Sequence, residues 1–170
     1  MKALVTFFSQ TGNTEKVARA IHEGIEAAEK DFAKISEVTD TSGYDLIFCG
    51  FPVHAHRVPH SMEDFLDKLP EGTKVALFAT HGSLRGGIMA VQAFHHGITI
   101  GHGLNILGTF GCRGKVRQSV LDKLEEKAEN WAWVMEARSA AGHPDGSDLA
   151  DAAGFARTMI TKARSLILKE

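Results

Sequence analysis

Short apolar runs alternate with segments of helical periodicity along most of the chain, and this alternation limits the folds that it can adopt. Residues 3–8 form a β-rich run, and residues 13–30 then carry apolar side chains at helical spacing. An alternation of this kind is typical of an open parallel sheet with helices on both faces. The predicted strands are residues 3–8, 32–37, 45–50, 74–79 and 106–110.

The length of the chain and its breaker residues indicate how the domain is organised. A chain of 170 residues is the usual length of one domain, so we predict a single domain over residues 1–170. The Gly- and Pro-rich segment 142–147 is interpreted as a turn between two C-terminal helices. The second of these is an extra helix beyond those that a five-stranded sheet requires. The predicted helices are residues 13–30, 59–69, 87–100, 116–135 and 149–167.

Composition excludes several classes of protein. Hydrophobic residues make up 44% and charged residues 24% of the chain, which is ordinary for a globular domain and excludes collagen-like and disordered chains. The apolar runs are far shorter than a membrane span requires. A formal charge of −2 gives no support to nucleic-acid binding. Cys49 and Cys112 form no CxxC pair and no signal peptide precedes the first strand, so we predict a reducing, cytoplasmic location.

The loop after the first predicted strand has the composition of an anion site. Backbone N–H groups at the start of a helix attract anions, hydroxyl and amide side chains add donors, and Gly12 permits close approach. The loop lacks the Lys of an ATP-binding P-loop and the three glycines of a dinucleotide fingerprint, which favours a terminal phosphomonoester. The alternative is a cluster of helix N-caps without a ligand. The loop consists of Ser9, Gln10, Thr11, Gly12, Asn13 and Thr14.

The order Ser-Gln-Thr-Gly-Asn-Thr after an N-terminal strand resembles the FMN-phosphate loop of flavodoxins. Residues 50–55 and 80–83 resemble the two loops that flank the flavin ring in that family. The resemblance implies a flavodoxin-like α/β fold with sheet order 2-1-3-4-5, which binds FMN as a carrier of one or two electrons. The implied cofactor-binding residues are Ser9, Gln10, Thr11, Gly12, Asn13, Thr14, Pro52, Val53, His54, Ala55, Thr80, His81, Gly82, Ser83 and Gly86.

Two later segments narrow the resemblance. Residues 110–115, Phe-Gly-Cys-Arg-Gly-Lys, and residues 143–145, His-Pro-Asp, are similar to a branch of flavodoxin-like proteins that includes companions of bilirubin reductases.

The aromatic residues that flavodoxins place against the flavin are missing from the two ring loops. Residues 52–59 and 80–87 contain no Phe, Tyr or Trp, and they offer only histidine rings, with His54 and His81 at the expected positions. Imidazole can stack on the ring, donate a hydrogen bond or titrate near neutral pH. We therefore expect weaker contact with the ring and an unchanged phosphate anchor.

The loops expected at the cofactor mouth carry only positive formal charge. Segments 50–60, 80–87 and 108–118 contain no Asp or Glu. This predicts a basic mouth that raises the flavin potential or receives an anionic partner, either NAD(P)H or an acidic face of a redox protein. The alternative is a set of unrelated solvated charges. The basic residues are Arg57, Arg85, Arg113, Lys115 and Arg117.

The histidines of residues 54–60 and the two tryptophans give weaker indications of function. His54, His56 and His60 have no companion Cys or carboxylate cluster, so we predict no metal site. Trp131 and Trp133 are two residues apart on a predicted helix and cannot share a face, so we expect one in the core and one at the surface.

Three functions follow from these residues and from the resemblance. The first is an FMN-binding electron carrier that needs no catalytic side chain. The second is an FMN-dependent NAD(P)H oxidoreductase, similar to quinone or tetrapyrrole reductases, with His54 or His81 as proton donor. The third is a non-catalytic flavin-binding module that acts through the extra C-terminal helix. A receiver domain is excluded because Ser9 and Gln10 stand where it needs aspartates.

Overall fold

Five parallel strands form one sheet in the order β2-β1-β3-β4-β5 in the computed structural model, which describes residues 1–26 and 28–168. The strands are β1 (Lys2–Phe7), β2 (Glu29–Lys34), β3 (Leu46–Pro52), β4 (Lys74–His81) and β5 (Asn105–Arg113). The helices are α1 (Asn13–Gly24), α2 (His60–Asp67), α3 (Ile88–Ile100), α4 (Gln118–Glu125), α5 (Trp131–Arg138) and α6 (Gly146–Ile167). The predicted fold class and strand order are confirmed.

The hydrophobic core lies on both faces of the sheet. One face packs against α1 and α6, and the other packs against α2 and α3. Strands β1, β3 and β4 are therefore buried on both sides, which explains why their sequences are continuous apolar runs without alternation. The carboxyl ends of all five strands meet at one edge, where an open parallel sheet places its ligand site.

The prediction for β2 was wrong by three residues at each end. The strand runs from Glu29 to Lys34, and Ile35–Glu37 form a short 3₁₀ turn. Strand β2 lies at the edge of the sheet and buries little surface, so its sequence is rich in charged residues and lacks the apolar pattern of a strand. Ile35 follows the strand but packs against the core on the α2 and α3 face, and this apolar residue extended the predicted strand too far. Because the strand ends early, residues 35–45 are free to form the crossover to β3.

The predicted helix over residues 116–135 is two short helices. Helix α4 ends at Glu125, a 3₁₀ turn follows at Ala128–Asn130, and α5 begins at Trp131. Side chains satisfy the carbonyl groups that the break exposes: the Asn130 amide donates to Leu124 O at 3.0 Å and the Trp131 indole donates to Glu125 O at 3.0 Å. The bend turns α5 back over the end of β4.

Helix α6 is the long helix that completes the layer beside α1. The two helices approach so closely at Gly24 that a Cβ atom there would lie 2.7 Å from the Ala153 Cα. A glycine is therefore required at this crossing. Each helix in the described part of the chain is too short or too polar to span a bilayer.

Candidate functional site

The loops after β1, β3, β4 and β5 enclose a cavity of about 700 Å³ at the carboxyl edge of the sheet. This volume lies in the range of about 300–1,000 Å³ that small-molecule sites occupy. The segments that the sequence singled out are therefore together in space. Ten of the predicted cofactor-binding residues line the cavity: Gln10, Thr11, Asn13, Pro52, Val53, His54, Ala55, Thr80, His81 and Gly82.

The loop between β1 and α1 presents backbone donors to one end of this cavity. Gly12 is the N-cap of α1 and has a φ of 87°, a left-handed conformation that favours glycine. Because Gly12 has no side chain, the N-cap position supplies no side-chain acceptor to the first N–H groups of the helix. Thr11 is exposed beside these groups. The arrangement suits an anion.

Two of the predicted phosphate ligands make hydrogen bonds that hold the loop together. The Ser9 Oγ atom accepts a hydrogen bond from Gly12 N at 3.1 Å. The buried Thr14 hydroxyl lies 2.9 Å from the Thr80 hydroxyl and forms a hydrogen bond with it across the end of β4. These side chains fix the shape of the loop, while neither lines the cavity.

The loop between β1 and α1 also contacts the segment that follows β5. The Asn13 amide donates to Lys115 O at 2.9 Å, and the Arg117 guanidinium donates to Gln10 Oε1 at 3.0 Å. A Cβ atom on Gly114 would lie 3.0 Å from the Asn13 amide nitrogen, so the two loops are in close contact. These three contacts therefore hold the two loops together at this end of the cavity.

The loop after β3 closes with a strained turn. His54 and Arg57 exchange backbone hydrogen bonds of 2.9 and 3.1 Å, and the two central residues, Ala55 and His56, have φ angles of 45° and 68°. Turns with positive φ at both central positions normally use Asn and Gly. Non-glycine residues pay about 1–2 kcal/mol each for this conformation.

Replacing Ala55 with Gly is expected to raise the free energy of unfolding by about 1 kcal/mol, because it removes the left-handed strain. The melting temperature should rise by about 2–4 °C in a thermal unfolding scan. A matched control is Ala132→Gly on the exposed surface of α5, where the same chemical change costs about 1 kcal/mol of helix stability. An unchanged or lower melting temperature for A55G would contradict the strain.

His81 and Ser83 lie deeper than the sequence predicted. His81 is buried, and its Nδ1–H donates to Ser83 O at 2.9 Å. Burial lowers the pKa of His81, and the nearby Arg113 and Arg85 charges act in the same direction. His81 is therefore neutral at pH 7, with its Nδ1 proton committed to the backbone, and Ser83 does not line the cavity. Gly86 also stands apart, in an exposed turn with a φ of 73°.

Fewer basic residues line the cavity than the composition of the loops predicts. Lys115 and Arg117 line the cavity. Arg57 instead borders a second cavity beneath α3. Arg113 donates to Glu136 O and the Ser139 hydroxyl, both at 2.7 Å.

Arg85 is also withdrawn from the mouth, because it pairs with Asp148 at 3.0 Å and with Asp151 at 2.8 Å. The prediction that all five basic residues lie at the mouth was therefore wrong for three of them, because a count over loops misses the partners that other elements supply. Carboxylates on α6 hold Arg85, the end of α5 holds Arg113, and Arg57 borders the second cavity. Among the described residues that line the cavity, none is Asp or Glu, so its net charge remains positive.

A buried carboxylate links these loops to the start of α6. Asp148 accepts hydrogen bonds from His143 Nδ1 at 2.5 Å, from Asp145 N at 3.0 Å and from Arg85 at 3.0 Å. Burial alone would raise the pKa of Asp148, but these hydrogen bonds and the Arg85 charge outweigh it and hold the pKa below its usual value. His143 O in turn accepts from Lys115 N at 2.9 Å. The network connects the β4 loop with the β5 loop.

Apolar residues from the C-terminal half of the chain also line the cavity, and the sequence analysis did not assign them to the site. Their helical spacing was interpreted as core packing, since a cavity wall and a core give the same periodicity. Position after the fourth or the fifth strand was the available signal, because the fold directs both segments to the ligand edge. These residues are Ile88, Met89, Val116, Val120, Leu124 and Trp133.

Comparison with known proteins agrees with this architecture. The family model described as flavodoxin domain matches residues 4–157. The chain is 30% identical over 175 residues to the flavodoxin-like domain-containing protein BilS of Clostridioides difficile (strain CD3), covering 96% of this chain and 98% of the relative. The protein belongs to the flavodoxin family.

Two solved structures show the same fold at low sequence identity. A flavodoxin from the domain Archaea has a TM-score of 0.63 at 18% identity, with 96% of this chain and 99% of that chain covered. A flavoprotein in complex with FMN from Lactobacillus acidophilus NCFM has a TM-score of 0.53 at 24% identity, with 72% of this chain and 97% of that chain covered.

Proposed function

We propose that the protein binds FMN in the cavity at the carboxyl edge of the sheet and serves as an electron-transfer flavoprotein. One observation carries the proposal: a single cavity joins the anion-type loop at Gln10, Thr11 and Asn13 to both predicted ring loops. Membership of the flavodoxin family and the FMN complex of a structural relative support the choice of ligand.

The residues present fit a phosphomonoester at one end of the cavity. The left-handed Gly12 turns the chain so that the first N–H groups of α1 face the loop, and the Thr11 hydroxyl lies beside them. Ser9 and Thr14 hold the loop in this shape, and Asn13 fastens it to Lys115 O. The site thus offers neutral donors to a group that carries nearly two negative charges at pH 7.

The middle of the cavity fits a flat, largely apolar ring system. Pro52, Val53 and Ala55 from the β3 loop and Thr80 and Gly82 from the end of β4 line this part of the site. Bound FMN would supply the one- and two-electron chemistry, while the protein sets position and electrostatics. Lys115 and Arg117 favour a more negative ligand and so raise its potential relative to an acidic mouth.

The structure favours electron transfer over a proton-donating reductase. The Nδ1 proton of His81 is bonded to Ser83 O. Partial desolvation lowers the pKa of His54, and the Arg117 charge lowers it further, so this imidazole is neutral at pH 7. An FMN-dependent NAD(P)H oxidoreductase remains the second candidate, because the cavity lining has cations that suit an anionic cosubstrate.

We propose that redox proteins with an acidic face dock at this mouth and that the protein works in a reducing cytoplasm. Both cysteines are free and buried, which suits a compartment without disulfide formation. Burial raises the pKa of the Cys112 thiol to about 12, so this residue behaves as a packing side chain near the cavity.

Titration with FMN tests the proposal. The visible spectrum of FMN should shift and its fluorescence change at a stoichiometry of one per chain. Oxidation of NADPH by the FMN-loaded protein in the presence of a quinone separates the two candidates: slow oxidation supports the carrier, and rapid turnover supports the reductase. No change in the FMN spectrum at saturating concentration would refute both.

A further inference from the structure

Trp133 is the aromatic residue that the two ring loops lack. Among the described residues that line the cavity, it is the only Phe, Tyr or Trp. It comes from α5, in a region of the chain that the sequence did not connect with the site. Its neighbour Trp131 is 59% exposed and does not line the cavity.

The indole ring is held in a defined place. Its Nε1–H donates to the hydroxyl of the buried Ser83 at 3.3 Å. A Cβ atom on Gly82 would lie 3.4 Å from the Trp133 Cζ2 atom, so the ring lies directly against the backbone of the β4 loop. Beside it, Val116 and Leu124 pack with the small core of α4 and α5.

The helix that carries Trp133 is fastened to the ends of the central strands. Arg113, at the end of β5, donates to Glu136 O and the Ser139 hydroxyl, which fixes the C-terminal turn of α5. The Glu136 carboxylate accepts a hydrogen bond from Leu84 N in the β4 loop. Trp133 therefore keeps its position relative to Thr80 and Gly82, which line the same cavity.

We propose that Trp133 packs against the isoalloxazine ring of FMN and replaces the aromatic contact that flavodoxins take from their ring loops. The proposal rests on the proposed function, because it assigns a residue to the same ligand. Gly82 has no side chain, and a Cβ atom there would lie 2.6 Å from Val116 Cγ2, so the β4 loop packs directly against the wall that contains the indole. An aromatic wall strengthens binding through dispersion and ring geometry, which an aliphatic side chain does not reproduce.

Affinities for FMN and for riboflavin, measured by calorimetry, test the assignment. Trp133→Ala should weaken the binding of both flavins by about tenfold or more, as loss of an aromatic stacking platform does elsewhere. The ratio of the two affinities should stay unchanged, because riboflavin lacks only the phosphate. The matched control Met135→Ala shortens a side chain that is 64% exposed on the same helix and does not line the cavity, so it should change neither affinity by more than about twofold.

Two further variants separate a ring contact from support of the fold. Trp133→Phe keeps an aromatic ring and should restore affinity to within about threefold of wild type, whereas Trp133→Leu keeps apolar bulk and should remain weak. The visible circular dichroism of bound flavin should change in W133L and not in M135A. Equal affinities for W133F and W133L, or an unchanged affinity for W133A, would overturn the inference and leave FMN binding intact. If the wild-type protein fails to bind FMN, the proposed function and this inference fall together.

Discussion

Replacing Thr11 with Glu is expected to weaken FMN binding by at least about 100-fold. The added carboxylate would stand in the loop that receives the phosphate, where Thr11 lines the cavity end. Two like charges about 5 Å apart repel by about 3 kcal/mol at an effective dielectric constant of 20, which corresponds to more than 100-fold in affinity. Calorimetric titration of FMN into the variant measures the loss.

Riboflavin and a neutral variant make this experiment specific. Riboflavin carries no phosphate, so T11E should bind it with nearly wild-type affinity. Thr11→Gln has the size of Glu without its charge and should lose less than about tenfold in FMN affinity. A carboxylate near the N-terminus of α1 is compatible with the helix dipole, so T11E should unfold at the wild-type temperature or above. Equal losses for FMN and riboflavin would contradict a phosphate at this loop.

Replacing Asp148 with Ala is expected to lower the free energy of unfolding by about 3 kcal/mol. The side chain is buried and accepts hydrogen bonds from His143, Asp145 N and Arg85, so its removal leaves these donors without their shared acceptor. For a chain of this length the melting temperature should fall by about 6–12 °C. Asp151→Ala is the matched control: it removes an exposed partner of the same Arg85 and should cost less than about 1 kcal/mol.

The contribution of Asp148 should depend on pH with a definite sign. Its pKa is depressed in the folded protein, so its carboxylate stabilises the fold above the ordinary pKa and loses this effect as the pH falls through the folded-state value. The stability gap between wild type and D148A, measured by urea unfolding, should therefore be larger at pH 5 than at pH 3. A gap that widens with acidification would contradict the network.

The sheet and the anion-type loop were predictable because local sequence determines them. The buried strands are mostly apolar, and the polar loop after β1 contains a glycine at the position that needs a left-handed conformation. Family resemblance then supplied the order of the strands. By contrast, β2 is an edge strand with little burial, so its boundaries left a weak signal.

The rest of the site depends on contacts between distant residues. Arg85 and Arg113 were counted toward the cavity, but partners on α6 and α5 hold them elsewhere. Trp133 was expected in the core or at a free surface, and the break between α4 and α5 instead brings it to the cavity. Periodicity shows that a side chain is apolar on one face, while tertiary packing decides what that face covers.

A crystal structure of the protein saturated with FMN tests the central claim most directly. The account predicts a phosphate within hydrogen-bond distance of the backbone at residues 11–14 and an isoalloxazine ring in the cavity between the loop at Val53 and the one at Gly82. Electron density for FMN at another surface, or a loop at 9–14 that holds no phosphate in a flavin-bound protein, would contradict it.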